Sequence, residues 1–506
     1  MALKVIRQGI EVERIVGESR VQLPVRAEAL VAGAGRESVE VLMADGYASV
    51  TGSEAQNDRV VVSGTVYCQA AYRLGQEGGA RALTAQAPFE QMVEIEGTAP
   101  RMSVQVEADV DHTEAVYESG HMVFYLNVTL QVRVCSLDTV EAVSDVEEVE
   151  GVQRQTQQVC SQKLNAETSD MIALSDEVSL PAALNARVTL MQWAEPVVDK
   201  AERDLGGVRV SGEVKVEALI ASGVLTRPVA LVRYALPFER LVSMPDWIAG
   251  EPEASAQVGR LRVDVDEGGE GHDSALKLSC DLSLMVRMNG QDCMEVLTDV
   301  YSTGDTSIEG VEQTLTVCAG VSRCSGQETF KSTLLLPEGA PGVGTVLAVR
   351  AHPVVSGWKM EGGRPAAEGV LEASVLYMQA GEEVLSSAQA ELPFTLKLSS
   401  LPSENAWMHI TATDAEASAL MSDRLELRCL LRAHSSERTA AEAVVLTDVR
   451  EKESERKPCG VGICYPQSGD TFWNIARRYR ISEEALRALN PSCAQVETGK
   501  PLLIIR

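Results

Sequence analysis

The residue types able to do covalent or metal chemistry are present but scattered. Six histidines, His112, His121, His272, His352, His409 and His434, stand at no ligand spacing such as HExxH. His112 follows Asp109 and Asp111, a grouping that a turn between strands explains better than a site does. The runs Glu147-Glu148 and Glu251 to Glu253 read as solvated loop charge rather than as paired acid and base. No nucleophile elbow, Walker A or dinucleotide-binding glycine pattern occurs. Among the 11 cysteines the close pairs are Cys318/Cys324 and Cys459/Cys464, and neither has the two-residue spacing or the neighbouring histidine of a zinc site. These patterns nominate no catalytic residue, no metal ligand and no cofactor-binding residue.

Binding chemistry is concentrated in the last fifty residues. Gly469-Asp470 makes a turn, and Asp470 or Thr471 can cap a helix. Phe472, Ile475, Ala476 and Tyr479 then form one apolar stripe at i, i+3, i+4 and i+7. Ser482 caps a second helix, with Ile481 and Leu486 as its hydrophobic staple, and Asn490-Pro491 stops it. Gly499-Lys500-Pro501 turns into a strand at Leu502 to Ile505, so the order is strand, helix, helix, strand. Trp473 lies off the apolar stripe, so it is expected to be partly exposed and is the better contact candidate.

Gly469-Asp470-Thr471-Phe472-Trp473-Asn474-Ile475-Ala476, with Asn490-Pro491 and Gly499-Lys500-Pro501-Leu502, resembles a LysM module over nearly its whole length. Two departures stand out: Phe472 replaces the usual leucine, and Pro466 sits in the first-strand region, which must be a sheet edge there. The resemblance implies binding of N-acetylglucosamine polymers by two loops, here Gly469, Asp470 and Thr471 with Asn490, Pro491 and Ser492. Read from local structure alone, Asp470, Thr471 and Asn490 are helix caps and a stop, and both readings stay open at this stage.

The elements before this module repeat. A glycine opening an apolar alternation recurs at Gly64, Gly212 and Gly369, a Pro-Phe pair at Phe89, Phe238 and Phe394, and an Asp-Val pair at Asp145, Asp299 and Asp448. A Leu-Pro pair that reads as closing a strand recurs at Pro24, Pro181 and Pro337. All four keep their order at spacings of 148 to 157 residues, too long for a solenoid unit, so these are tandem domains. Stretches such as Met102 to Ala108 and Val258 to Val265 alternate with period two. The expected fold class is therefore mainly β: three sandwich-like repeats at 15–150, 170–302 and 325–449, a charged linker at 450–458, and a βααβ module at 459–506. The shared glycines and Pro-Phe pairs read as structural, a strand-entry turn and a core aromatic.

Composition narrows the function. The 506 residues are 45% hydrophobic and 23% charged, which excludes disordered and collagen-like classes. A net charge of −28 offers nucleic acid no counterion release, so nucleic-acid binding is excluded. Residues 459–506 carry +2, leaving −30 on the body. Charges interrupt Met1 to Arg14 before an apolar core can form, so it is not a secretory signal, and no apolar run is long enough to span a membrane. The odd, scattered cysteines in alternating runs read as buried free thiols in a reducing cytosol.

The whole layout, three β-rich repeats followed by a terminal LysM, resembles the SPOCS-domain, SipL-like spore coat morphogenetic proteins of clostridia. The resemblance implies a non-enzymatic scaffold in the mother-cell cytoplasm, at the forespore surface. Its LysM would bind the coat-basement ATPase SpoIVA. The alternative is a peptidoglycan- or chitin-type glycan binder acting through the same module.

Overall fold

The computed structural model describes residues 3–33, 38–75, 79–224, 226–266, 274–337, 339–382, 384–403, 406–453 and 460–505. Strands dominate it. The first set is β1 (Lys4–Leu30), β2 (Val39–Gln56), β3 (Arg59–Leu74), β4 (Arg81–Glu94), β5 (Ser103–Glu118) and β6 (His121–Glu147). The second is β7 (Val152–Ser179), β8 (Ala186–Asp204), β9 (Gly207–Ser222), β10 (Val229–Ser243), β11 (Glu251–Asp266) and β12 (Ala275–Ser302). The third is β13 (Ser307–Leu335), β14 (Val343–Glu361), β15 (Arg364–Gln379), β16 (Leu385–Lys397), β17 (Met408–Met421) and β18 (Arg424–Lys452). Each set begins well ahead of 15, 170 or 325, because its opening strand is longer than a sandwich needs. The last set runs through 452, so the front of the expected 450–458 linker is strand, and 454–458 lie outside the described residues.

Each set folds into two three-stranded antiparallel sheets: first, sixth and fifth strands in one; second, third and fourth in the other. Alternation drives this. In β3, Val60, Val62, Val66, Cys68 and Ala70 point inward at every second position, and they meet Phe124, Leu126, Val128 and Leu130 from β6. The shared glycine and Pro-Phe landmarks meet in space. Gly64 lies opposite Phe89, Gly212 opposite Phe238 and Gly369 opposite Phe394, each ring covering the glycine in its own core.

One landmark is corrected. Leu180 and Leu336 leave their strands by hydrogen bonds to Ser274 and Asp423, and the matching residue in the first set is Val31, bonded to Gly120. Leu23-Pro24 sits inside β1, opposite Val128 and Asn127. The Leu-Pro match was a coincidence of spelling, not of place. His112 also differs from its reading: it lies in β5 beside a bulge, not in a turn, and its Nδ1 is 2.9 Å from Glu372 of the third set.

The opening and closing strands, 27 to 29 residues in β1, β6, β13 and β18, run past the sandwich. Register shifts at Ile15/Gly17, Met288/Asn289 and Cys318/Gly320 bend them there. The three ribbons so formed pack together about a common axis. Their shared core comprises Ile10, Val12 and Ala142; Val159, Met294 and Val296; and Leu315, Val317, Ala443 and Val445. A second shared cluster, from β2, β8, β14 and their neighbours, includes Met43, Met191, Leu219 and Leu376. The repeats thus share a closed, pseudo-threefold assembly and are not beads on a string.

Cysteine pairing departs from expectation. Cys160 and Cys293 face each other across β7 and β12 with Cα atoms 4.1 Å apart, and they form a disulfide. They are 133 residues apart in sequence, so alternation could place each on a face but could not reveal the partner. Cys68, Cys135, Cys280, Cys318, Cys324, Cys429 and Cys464 are buried free thiols and Cys493 is half-buried. Cys459 lies outside the described residues. Titration of the denatured protein should count at least two more thiols after reduction than before it, and equal counts would refute the bond. Among the described residues no helix is long and apolar enough to cross a membrane.

Candidate functional site: the C-terminal module and its seat

The module is built from β19 (Val461–Cys464), α1 (Phe472–Tyr479), α2 (Glu483–Leu489) and β20 (Leu502–Ile505). Phe472, Ile475, Ala476, Ile481, Leu486, Leu502 and Ile504 form its core, as the apolar stripe requires. Thr471 caps α1 by accepting from the Asn474 N–H at 3.1 Å, and Ser482 caps α2 by accepting from Ala485 at 3.1 Å. β19 stops at Cys464, ahead of Pro466, whose carbonyl accepts from Gly499 at 3.0 Å and ties the two loops together.

The seven residues nominated from sequence divide sharply. Asp470 accepts from the Gln467 N–H at 2.9 Å and pairs with Arg478 at 2.8 Å; the backbone bond first, then the guanidinium, lowers its pKa. Asn490 is buried and braces the module, donating to Leu486 and Leu503 carbonyls and accepting from the Leu503 N–H at 2.8 Å. Gly469, Thr471, Pro491 and Ser492 remain on the surface. Gly469 takes φ +90°, a conformation that favours glycine at this turn.

Trp473 is the main correction. It is only 8% exposed. Lying off the module's own stripe does not free it, because the stripe is not the helix's only buried face. The indole packs edge-on against Tyr301 at 4.9 Å, and its Nε1 donates to Asp299 at 2.7 Å, both residues belonging to β12. Arg477 donates to the same Asp299 oxygen at 2.9 Å, and the Tyr301 hydroxyl donates to the Ile481 carbonyl at 2.8 Å. Arg480 reaches the carbonyls of Ser302, Gly304 and Thr306. Burial, with Glu483 and Asp299 nearby, raises the Tyr301 pKa. The module is therefore seated on the body.

Sequence reasoning also passed over the outer face of the small sheet. Val461 and Ile463 of β19 lie opposite Ile505 and Leu503 of β20, and all four are exposed, with exposed Tyr465 following β19. The signal was available: both strands are apolar at every second position on each face, more than a two-layer module can bury.

A chamber of about 2380 Å³ lies between the two shared apolar clusters and is lined by all three strand sets. Asp45, Trp193 and Arg350 hold equivalent positions in β2, β8 and β14 and meet there. Trp193 Nε1 donates to Asp45 at 2.5 Å, and Arg350 lies over the Trp193 ring at 5.1 Å. Lower down, Arg133 pairs with Glu18 and stacks on Trp407, while Arg287 pairs with Glu167 at 2.7 Å. Burial first, then Asp109, raises the pKa of Glu107 on the wall. Arg133, Arg233, Arg287, Arg350 and Arg438 on its wall are each paired with carboxylates of the chain itself. Among the described residues no group of three or more His, Cys, Asp or Glu could hold a metal.

Comparison with known families fits this anatomy. Residues 39–118 match the SipL, SPOCS domain model, spanning β2 to β5 of the first strand set from end to end. Residues 467–504 match the LysM domain model. The chain joins a SPOCS domain to a LysM domain. Both are non-catalytic binding families, and the SPOCS match connects the chain with sporulation. No curated protein and no solved structure matches the chain.

Proposed function

We propose that this SPOCS–LysM protein is a non-enzymatic scaffold of spore coat assembly, with three SPOCS-like repeats as its body. It works in the mother-cell cytoplasm at the forespore surface and binds the SpoIVA-like coat-basement ATPase through its LysM module. The observation that carries a protein partner is the aliphatic sheet face of Val461, Ile463, Leu503 and Ile505. Aliphatic side chains offer a sugar no hydrogen bond and no aromatic stacking surface, whereas contiguous exposed apolar side chains favour a protein interface. The test is a titration of the full chain against the purified ATPase and against soluble chitin or peptidoglycan oligomers. Val461→Glu should weaken ATPase binding by about tenfold or more, since a charge is then buried at an apolar contact. Equal binding of variant and wild type would remove the sheet face from the interface.

Glycan binding is the second reading, and the exposed loop residues Gly469, Thr471, Pro491 and Ser492 support it. Saturable binding of the oligomers without binding of the ATPase would establish it over the first.

A further inference from the structure

The three Asp-Val landmarks end equivalent strands, and each aspartate receives the N–H of its own next residue, at 2.7 Å for Asp145 and 2.8 Å for Asp299. Each also receives an arginine. For Asp145 it is Arg154, at 2.5 Å, from the opening strand of the second set. For Asp448 it is Arg7, at 2.7 Å, from the opening strand of the first set, closing the ring, with Arg450 of its own strand donating as well at 3.2 Å. Arg154 and Arg7 stand two register positions apart, so the opening strand of the third set offers two places from which an arginine could reach Asp299. Arg154 stands opposite Val300 and Arg7 opposite Val143; the matching residues of β13 are Gly310, opposite Val449, and Glu312, opposite Leu446. Neither is a cation. The arginine that reaches Asp299 is Arg477, from the LysM module.

We infer that Asp299 is the positioning residue that holds the LysM module in fixed register on the body, the module supplying the arginine that the third repeat lacks. The other two equivalent seats are closed by the body's own arginines, so the module docks at one place only. Its seat is a carboxylate with little solvent access, bonded by two donors of α1 and flanked by the Tyr301–Ile481 and Arg480 contacts. The sheet face and the exposed loops consequently keep one orientation relative to the acidic body. A partner bound by the module meets the body in a fixed geometry, and the binding half of this inference rests on the function proposed above.

Hydrogen exchange on the full chain tests it, with Asp299→Ala, Arg477→Met and, as a control at an equivalent seat, Asp145→Ala. Releasing the module should speed exchange in residues 472–479 and 301–306 by about 10- to 100-fold, the factor carried by a charge-assisted hydrogen bond. Both seat variants should show it and Asp145→Ala should not. Arg477→Met leaves the body untouched, so the prediction survives if Asp299→Ala misfolds. Unchanged exchange in both seat variants, or equal change in the control, overturns the seat. With exchange increased, affinity for the purified ATPase should fall about tenfold. Unchanged affinity would overturn the positioning role in binding. Failure of the wild type to bind the ATPase would instead overturn the proposed partner and leave the seat standing.

Discussion

Glu13→Ala is expected to destabilise the protein by about 3–5 kcal/mol, the usual result of leaving a buried charge without its partner. Glu13, with a side chain 6% exposed, lies where the three ribbons meet. It pairs with Arg438 of the third set and accepts the Leu164 N–H of the second at 3.2 Å, so one carboxylate of β1 links all three repeats. Removing it strands the Arg438 guanidinium beside the buried thiols of Cys135 and Cys318, the first of which burial pushes up to about 11. Urea unfolding followed by circular dichroism measures the loss as a lower midpoint. The double variant Glu13→Ala with Arg438→Met should recover part of it, because the stranded charge and not the missing bond dominates the cost. A loss below about 1 kcal/mol would show that water reaches the pair.

Gly369→Val should be comparably severe, costing about 3 kcal/mol or more through overpacking. A Cβ at this position would overlap the Val354 carbonyl oxygen and lie 2.9 Å from the Phe394 ring, and backbone on one side and a core aromatic on the other leave it nowhere to move. Phe394→Ala removes the same contact from the other side and should cost about 3–5 kcal/mol. Gly357→Ala in the neighbouring strand β14 serves as the control, since a Cβ there meets nothing within 4 Å. It should be neutral or slightly stabilising, alanine restricting the unfolded chain more than glycine does. If Gly369→Val and Gly357→Ala unfolded at the same urea concentration, the glycine landmark would have no packing role.

The glycine and Pro-Phe landmarks show how far local pattern reaches. A glycine before an apolar alternation and a phenylalanine after proline are legible as structural residues, and they occupy one contact in each of three cores. The Leu-Pro landmark misled because a dipeptide has no register: Pro24 tolerates mid-strand placement, whereas Pro181 and Pro337 follow strand ends. Helix caps at Thr471 and Ser482 were readable for the same reason that made Trp473 unreadable. A cap is satisfied within four residues, but the partner of the indole is 174 residues away on β12.

By itself the sequence determined the β class, the threefold repetition, the C-terminal βααβ module and the absence of any recognised catalytic motif. Each of these rests on periodicity, capping or spacing within a few tens of residues, or on self-similarity between them. Only the tertiary structure decided that Cys160 meets Cys293, that Glu13 joins three repeats, and that Asp299 seats the LysM module. Those contacts join residues more than a hundred positions apart, and they depend on how three ribbons close about one axis. Alternation says which face of a strand a residue occupies; ring closure alone says what that face meets.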